Sequence, residues 1–294
     1  MTDVEAGTLY LVATPIGHLQ DITLRALAVL RAVDAVLCED TRRTRILLQA
    51  HGIRNRLVSF HAHNEARRIP QVLRRLRAGA ALALVSDAGM PGLSDPGERL
   101  VRAVWDAGGR VRVVPGPSAI VAALAMAGLP TQPFVFWGFL PRREADQIRL
   151  FERWAHWPAT HMAFETGRRL LKTLERLHAW RPEQAVCLIK ELTKVHERRY
   201  LDTPGRLTDH FRANPDETAG EWVLLVHVAE PTGKVPEVEA ARIEADLPAM
   251  YRDLVTAGLK PRAAVRLLAR WTGQPANVLY RRVRGTQVGR SADG

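Results

Sequence analysis

The sequence has only two cysteines among its 294 residues, Cys38 and Cys187. Each lies in a short apolar run, so core positions suit them better than a disulfide or a pair of metal ligands. The chain also lacks an apolar run of about 20 residues, the length that a membrane-spanning helix needs. Its first residues do not show the basic-then-apolar order of a secretion signal. We therefore expect a globular cytoplasmic protein that does not engage a membrane.

Motifs of several common enzyme classes are missing as well. There is no GxGxxG dinucleotide loop, no GxxxxGK[ST] phosphate loop, no HExxH metal helix and no GxSxG nucleophile elbow. Acidic side chains are also few relative to basic ones, 31 against 42, which gives a formal net charge of +11. This excess of positive charge favours a polyanionic partner such as nucleic acid.

What the sequence does contain is a repeated strand, turn and helix pattern. Short apolar runs at residues 9–13, 35–38, 82–85 and 111–114 are each followed by small, polar or turn-forming residues. Helical periodicity then resumes, first near Asp21. Such βα repeats predict a parallel sheet in an N-terminal α/β domain, residues 1–117.

A second α/β domain is predicted over residues 118–232. Its strand-like segments are residues 134–137, 160–164, 185–189 and 222–227, with a helical run at residues 168–179 between two of them. Residues 231–236 have the composition of a linker, and residues 233–294 read as all helical. The predicted fold class is α/β, with two α/β domains and a small C-terminal all-helical domain.

The chain is organised around residues 80–104, where a buried strand leads into a loop rich in glycine and proline. Ser86 and Asp87 follow the strand directly, and a helix restarts at Glu98. In open α/β sheets, ligands bind beyond the carboxyl ends of the strands. The loop is therefore a candidate ligand site, and the alternative is a surface turn.

Ten arginines and a single acid, Glu65, lie between residues 42 and 77. This stretch predicts a strongly positive face. Within it, residues 61–65 read HAHNE, which could be a metal cluster or an RNA-contacting loop. Since zinc needs three or four ligands and no cysteine or further histidine is suitably spaced, a metal site is not favoured.

The tail has two short helical segments joined by a tight turn, which resembles a helix-turn-helix. Pro261 opens the first and Pro275 the second. One face of the first segment is apolar, formed by Ala264, Leu267, Leu268 and Trp271; the other carries Arg262, Arg266 and Arg270. The arrangement suggests an RNA-binding module, and the alternative is a packing module with a solvated charged face.

Eight short motifs in a fixed order carry a family resemblance over roughly residues 7–283. They are ATPIG at 13–17, EDTR at 39–42, HAHNE at 61–65, SDAGMP at 86–91, SDPG at 94–97, PGPSA at 115–119, GFLP at 138–141 and KELTK at 190–194. In this order they resemble the bacterial 16S ribosomal RNA cytidine 2'-O-methyltransferases of the tetrapyrrole-methylase superfamily. The resemblance implies a homodimer that methylates a decoding-centre cytidine of 16S rRNA, free or in the 30S subunit.

The resemblance also implies S-adenosylmethionine, held in a cleft between the two α/β domains, with no metal. The cofactor-binding residues carried over by motif are Pro15, Ser86, Asp87, Ala88, Met90, Ser118 and Ala119, with Glu165, Leu192 and Glu221 as further candidates. Small residues leave room for a ligand, whereas Asp87 can accept hydrogen bonds from it. Departures from the family pattern are His18, Met90 and the run ETGRR at 165–169, where Gly167 frees a backbone that proline would fix.

The reaction needs alignment of the ribose oxygen and acceptance of its proton. The candidate bases are Glu39, Asp40 and Glu65, with His61, Glu165 and Glu191 also open. Glu39 and Asp40 equally suit a structural role, fixing Arg42 or capping the following helix. The residues expected to bind RNA are Arg42, Arg43, Arg67, Arg68, Arg262, Arg266 and Arg270. Two other functions stay open, methylation of a tetrapyrrole and RNA binding without catalysis.

Overall fold

The computed structural model describes residues 4–229, 237–256, 259–272 and 274–285, excluding the side chains of residues 237–246, 270, 271, 284 and 285. Residues 1–231 form one compact unit and residues 232–294 another. The predicted linker at residues 231–236 lies outside the described residues.

The first sheet has five parallel strands, in the spatial order β3-β2-β4-β1-β5. The strands are β1 (Thr8–Val12), β2 (Ala35–Cys38), β3 (Leu57–Ser59), β4 (Leu82–Val85) and β5 (Arg110–Val114). The helices that connect them are α1 (Leu24–Ala32), α2 (Thr41–Ala50), α3 (Glu65–Arg77) and α4 (Glu98–Asp106). Parallel neighbours need such crossovers, because a tight turn cannot return the chain to the same end of the sheet.

The central strands are buried on both faces. Every residue of β2 and β4 is buried, which is why both read as continuous apolar runs in the sequence. Val36 and Cys38 pack into one core cluster, and Leu37 points into the cluster on the other face. Cys38 and Cys187 are both buried free thiols, as predicted.

The second sheet is mixed, with the order β6-β7-β10-β8-β9. The first two strands in this order are parallel, and the remaining pairs are antiparallel. Its strands are β6 (Phe134–Phe139), β7 (Ala159–Thr166), β8 (Val186–Lys190), β9 (Arg198–Asp202) and β10 (Glu221–Val228). The helices of this half are α5 (Ala119–Ala127), α6 (Glu144–Ala155), α7 (Gly167–Trp180) and α8 (Pro204–Ala213).

The structure corrects the predicted start of the first helix. Leu19–Asp21 is a short 3-10 turn, and α1 begins at Leu24. The reason is capping: the Thr23 hydroxyl accepts a hydrogen bond from the Ala26 amide at 3.1 Å, so the helix begins after threonine.

The C-terminal unit is helical, as predicted. It contains α9 (Glu237–Thr256), α10 (Pro261–Thr272) and α11 (Ala276–Gly285). Ala264 and Leu268 are fully buried in its core, whereas Arg262 and Arg266 are exposed. The side chains of Arg270 and Trp271 lie outside the described residues. Among the helices described in the two units, none has the length and apolar character to cross a bilayer.

Candidate functional site

The loops after β1 and β4 are joined edge to edge at the carboxyl end of the first sheet. The Thr14 amide donates to the Gly89 carbonyl at 2.9 Å, and the Gly89 amide donates back to Thr14 at 3.0 Å. The Ser86 hydroxyl donates to the Ala88 carbonyl at 3.1 Å. Gly89 has φ +76°, a conformation that glycine adopts without strain. The β4 loop is therefore held in shape by its own backbone.

A cavity of about 340 Å³ lies between these loops and the second sheet. Eight of the ten predicted cofactor residues line it: Asp87, Ala88, Met90, Ser118, Ala119, Glu165, Leu192 and Glu221. The other two, Pro15 and Ser86, line an adjoining hollow of about 300 Å³. Both spaces share Ile16, Arg43 and Asp87 in their walls.

Asp95 is a cavity residue that sequence reasoning did not single out as a candidate base. Burial raises its pKa to about 6, and the neighbouring carboxylate of Glu39 adds to the effect. Burial also raises the pKa of Glu39, with a further contribution from Asp87. The carboxyl groups of Glu39, Asp87 and Asp95 are therefore close enough at this edge to interact electrostatically. The signal for Asp95 in the sequence was its place in the same turn-rich loop as Asp87.

Asp87 links the cavity to α2. Its Oδ1 accepts the backbone amide of Asp40 at 3.1 Å, and its Oδ2 lies 3.7 Å from Nε of Arg43. The Asp87 carboxylate thus lies close to the arginine that lines both spaces.

Asp40 takes up the structural role that the sequence also allowed. Its Oδ1 accepts the Arg42 backbone amide at 2.8 Å, and its Oδ2 accepts from Nη2 of Arg42 at 2.8 Å. The hydrogen bonds from Arg42 lower the pKa of Asp40 to about 2. Asp40 is the N-cap of α2, so it is a poor proton acceptor.

Glu65 lies in the first turn of α3 and is only 6% exposed. It is not among the residues that line the cavity, and its Oε1 has no hydrogen-bond partner within the described part of the chain. In the same loop, the His61 amide donates to the Asn64 side chain at 2.9 Å. No group of three or more histidine, cysteine or acidic side chains in the described residues could hold a metal ion.

The carboxylate of Glu191 is held by hydrogen bonds from neighbouring residues. Its Oε1 accepts the Glu221 backbone amide at 2.8 Å and lies 3.3 Å from Nζ of Lys194. Although burial opposes the shift, these hydrogen bonds lower the pKa of Glu191. Lys194 also pairs with Glu221 at 2.8 Å. The candidate base Glu191 therefore serves to fix a loop.

The carboxylate of Glu165 is buried and fully engaged. It accepts hydrogen bonds from the Thr166 amide and the Thr173 hydroxyl, both at 2.8 Å. Arg169 completes the set with an ion pair at 2.8 Å, and the same guanidinium donates to the Leu140 carbonyl at 2.7 Å. Glu165 thus anchors α7 and the 138–141 loop, and its carboxylate has little capacity left for a ligand.

Gly167, the departure from the family pattern, is held by close packing. A Cβ at this position would lie 2.0 Å from the Thr218 carbonyl oxygen. The Gly167 amide also donates to the Gly220 carbonyl at 3.1 Å. The wall beside Glu165 is therefore fixed by contact rather than by a proline ring.

We expect Gly167→Ala to destabilise the fold by about 2–3 kcal/mol, because backbone must move to admit the methyl group. Chemical denaturation measures the change. The control is Gly52→Ala, where φ is +62° but nothing lies within 4 Å of the new Cβ; it should cost only about 1 kcal/mol. Equal losses in the two variants would contradict the packing argument.

The predicted positive face falls on α2 and α3. Arg42 and Arg67 are exposed, and Arg43 lines the cavity. Arg68 is half-buried and donates to Gln71 at 3.0 Å. Arg43 thus places part of this face directly beside the cavity.

The fold agrees with that of known proteins. The family model of Tetrapyrrole (Corrin/Porphyrin) Methylases matches residues 8–208. A solved uroporphyrin-III C-methyltransferase from Thermus thermophilus, complexed with S-adenyl homocysteine, has a TM-score of 0.52 at 18% identity and covers 74% of this chain and 96% of its own.

Two curated relatives are more similar in sequence. Ribosomal RNA small subunit methyltransferase I of Streptococcus pyogenes is 41% identical over 265 residues, covering 90% of each chain. The protein of the same name from Mesorhizobium japonicum is 42% identical over 276 residues, covering 94% of this chain and 90% of its own. The chain therefore belongs to the tetrapyrrole methylases and, within them, to the family of these small-subunit methyltransferases.

Proposed function

We propose that the protein methylates the 2'-oxygen of a decoding-centre cytidine in small-subunit ribosomal RNA, with S-adenosylmethionine as the methyl donor. The observation that carries this proposal is the cavity at the edge of the first sheet, where eight residues carried over from cofactor motifs converge. The names of the relatives supply the RNA substrate.

The cavity suits the chemistry of this cofactor. Ala88, Ala119 and Leu192 give it small and apolar walls for a nucleoside. Asp87 places negative charge where a cationic sulfonium and amino group would be stabilised. When bound, S-adenosylmethionine supplies a methyl group that is already activated for transfer.

The work of the chain is to orient the ribose and to accept its proton. Asp95 is the carboxylate that fits this role best, because it lines the cavity and its pKa of about 6 lies close to physiological pH. Glu39 is placed to raise the pKa of Asp95, and Asp40 holds Arg42.

The arginines give the protein a means of holding RNA. Arg42 and Arg43 lie on α2 and Arg67 on α3, and Arg43 lines the cavity, so phosphates could be held on this face while the nucleotide enters. Arg262 and Arg266 on α10 are a second pair of exposed arginines. Arg270 continues their four-residue spacing in the sequence.

The test is methyl transfer to small-subunit RNA from a strain that lacks this gene. The purified protein is incubated with labelled S-adenosylmethionine and either free RNA or 30S particles, and the nucleotide is mapped by primer extension and mass spectrometry. The expected product is one 2'-O-methylcytidine. Methylation of a base, or of no nucleotide, would contradict the proposal.

A tetrapyrrole substrate is the second candidate, because the matching family is described by corrins and porphyrins. Offering uroporphyrinogen in the same assay separates the two. A chain that binds RNA but not S-adenosylmethionine would instead be a non-catalytic RNA-binding protein.

We expect Asp87→Asn to weaken S-adenosylmethionine binding about 10-fold, since it removes a charge worth roughly 1–2 kcal/mol from a partly buried site. Asparagine keeps the oxygen that accepts the Asp40 amide, so the fold should be retained. Calorimetric titration and a thermal melt on the same sample measure both. Asp106→Asn, at an exposed residue of α4, is the control; equal affinities in the two variants would remove Asp87 from the site.

We also propose a homodimer. Strand β5 lies at an edge of the first sheet, and its Val113 is 49% exposed. Leu24 of α1 and Val121 of α5 are 86% and 64% exposed. An open strand edge with exposed apolar side chains is suited to pairing with a second copy. Light scattering in solution reports the stoichiometry.

A further inference from the structure

Thr193 makes a hydrogen bond between the two halves of the cavity wall. Its Oγ1 accepts the backbone amide of His18 at 3.0 Å, across 175 positions of sequence. His18 belongs to the loop after β1 in the first sheet, and Thr193 to the loop after β8 in the second. We name residues 191–194 the clasp loop.

The two loops also touch through their backbones. A Cβ added to Gly17 would lie 2.6 Å from Cγ of Lys194 and 2.7 Å from both the Leu192 carbonyl oxygen and the Thr193 Oγ1. Only glycine allows so close an approach. The spacing between the loops is therefore set by direct contact.

The clasp loop holds an uncommon backbone conformation. Glu191 has φ +52° and Thr193 has φ +62°, both in the left-handed region. Residues other than glycine are uncommon there, and a β-branched residue such as Thr193 occupies it rarely. Such a conformation persists only where surrounding contacts impose it. Here the Thr193 amide donates to Glu197 at 2.6 Å, and the Lys194 amide donates to the Glu191 carbonyl at 2.9 Å.

Between the two strained residues, Leu192 faces the cavity. It is 8% exposed and packs in one cluster with Ile16 of the opposite loop. Both side chains line the cavity. The Thr193 hydroxyl thus holds the clasp loop, which carries Leu192, against the loop after β1, which carries Ile16.

We propose that Thr193 is a positioning residue for the cofactor: its hydroxyl holds the clasp loop against the first loop, so that Leu192 and Ile16 stay at the spacing that a nucleoside requires. The inference rests on the proposed function, in which this cavity takes S-adenosylmethionine. Thr193 itself is not among the residues that line the cavity.

The test compares Thr193→Val, which removes the hydroxyl and keeps the shape, with Thr193→Ser, which keeps the hydroxyl. Calorimetry of the full chain with S-adenosylmethionine and S-adenosylhomocysteine should show Kd raised about 5- to 10-fold in Thr193→Val, because binding must then bring the two loops together, at a free-energy cost of up to about one hydrogen bond. In Thr193→Ser, Kd should stay near wild type. The KM for the cofactor should rise with Kd, with little change in kcat. The control is Thr208→Val, which removes a hydroxyl that is hydrogen-bonded within α8. It should leave the Kd and the KM for the cofactor unchanged.

A second variant, Gly17→Ala, changes the loop after β1 where it contacts the clasp loop. Its methyl group should force the loops apart and raise Kd, and adding Thr193→Val should then cost less than it does alone, because the two residues share one interface. Additive effects would overturn the inference. This variant also keeps the test decisive should Thr193→Val fail to fold in a thermal melt.

Two outcomes distinguish the inference from the function on which it rests. If the wild-type chain binds the cofactor and Thr193→Val binds it equally well, or if Thr193→Ser is as weak as Thr193→Val, the positioning role is wrong and the function stands. If the wild-type chain binds neither compound, the proposed function itself is overturned, and this inference with it.

Discussion

Asp95→Asn should lower the rate of methyl transfer by about 10²- to 10⁴-fold, the range for removal of a positioned general base. Asparagine keeps the size of the side chain and cannot accept the ribose proton. Cofactor affinity should change far less than the rate. Single-turnover methylation of RNA, beside calorimetry on the same sample, measures the two.

Loss of folding would not account for that result. Burial raises the pKa of Asp95 from 3.8 to about 6, so the folded state favours its protonated form. The stability that this shift contributes is present below pH 3.8 and is lost as pH rises through 6. At pH 8 the carboxylate is a half-buried charge, and the asparagine variant should melt no lower than wild type. A rate within threefold of wild type would exclude Asp95 as the base.

The pH dependence of kcat/KM gives a second test of Asp95 as the base. In the wild type, kcat/KM should fall as pH drops through about 6, where Asp95 becomes protonated. Glu39→Gln removes the negative charge that helps to raise the pKa of Asp95, so its acid limb should move to lower pH. An unmoved limb in Glu39→Gln would show that another group titrates.

Replacing Arg262, Arg266 and Arg270 together with glutamine should weaken RNA binding and leave cofactor affinity unchanged. Arg262 and Arg266 are exposed on α10, opposite the buried Ala264 and Leu268. Each lost phosphate contact should reduce the log–log salt slope by about 0.7 to 0.9. Three contacts correspond to roughly a 100-fold loss of affinity at low salt, by the same dependence.

The control carries the same change of charge elsewhere. Arg102, Arg149 and Arg206 are exposed on α4, α6 and α8, and their triple glutamine variant should bind RNA nearly as well as wild type. Truncation after Thr232 should lower RNA affinity and methyl transfer further, of which the arginine variant reproduces a part. Cofactor affinity should be preserved in the truncated chain, because every predicted cofactor residue lies earlier in the sequence. Methylation at the wild-type rate with limiting RNA would make the tail a packing or dimerisation element.

The sequence alone determined the repeating βα architecture, and the family resemblance of its motifs predicted eight of the residues that line the cavity. β2 and β4 have the predicted bounds because strands buried on both faces must be apolar throughout. β3 and β9 were not predicted: β3 has three half-buried residues, and β9 is an edge strand of mostly polar residues. The motif loops were found because glycine and proline restrict a turn locally.

Only the tertiary structure decided which groups meet. Asp95 acquires its raised pKa from burial and from Glu39, which lies on another loop, whereas Asp40 and Glu191 are occupied by Arg42 and Lys194. His18 and Thr193 are joined across most of the chain. Local periodicity records which face of an element is apolar; the distance between two side chains on different elements depends on how the sheets pack, and proton affinity follows from that distance.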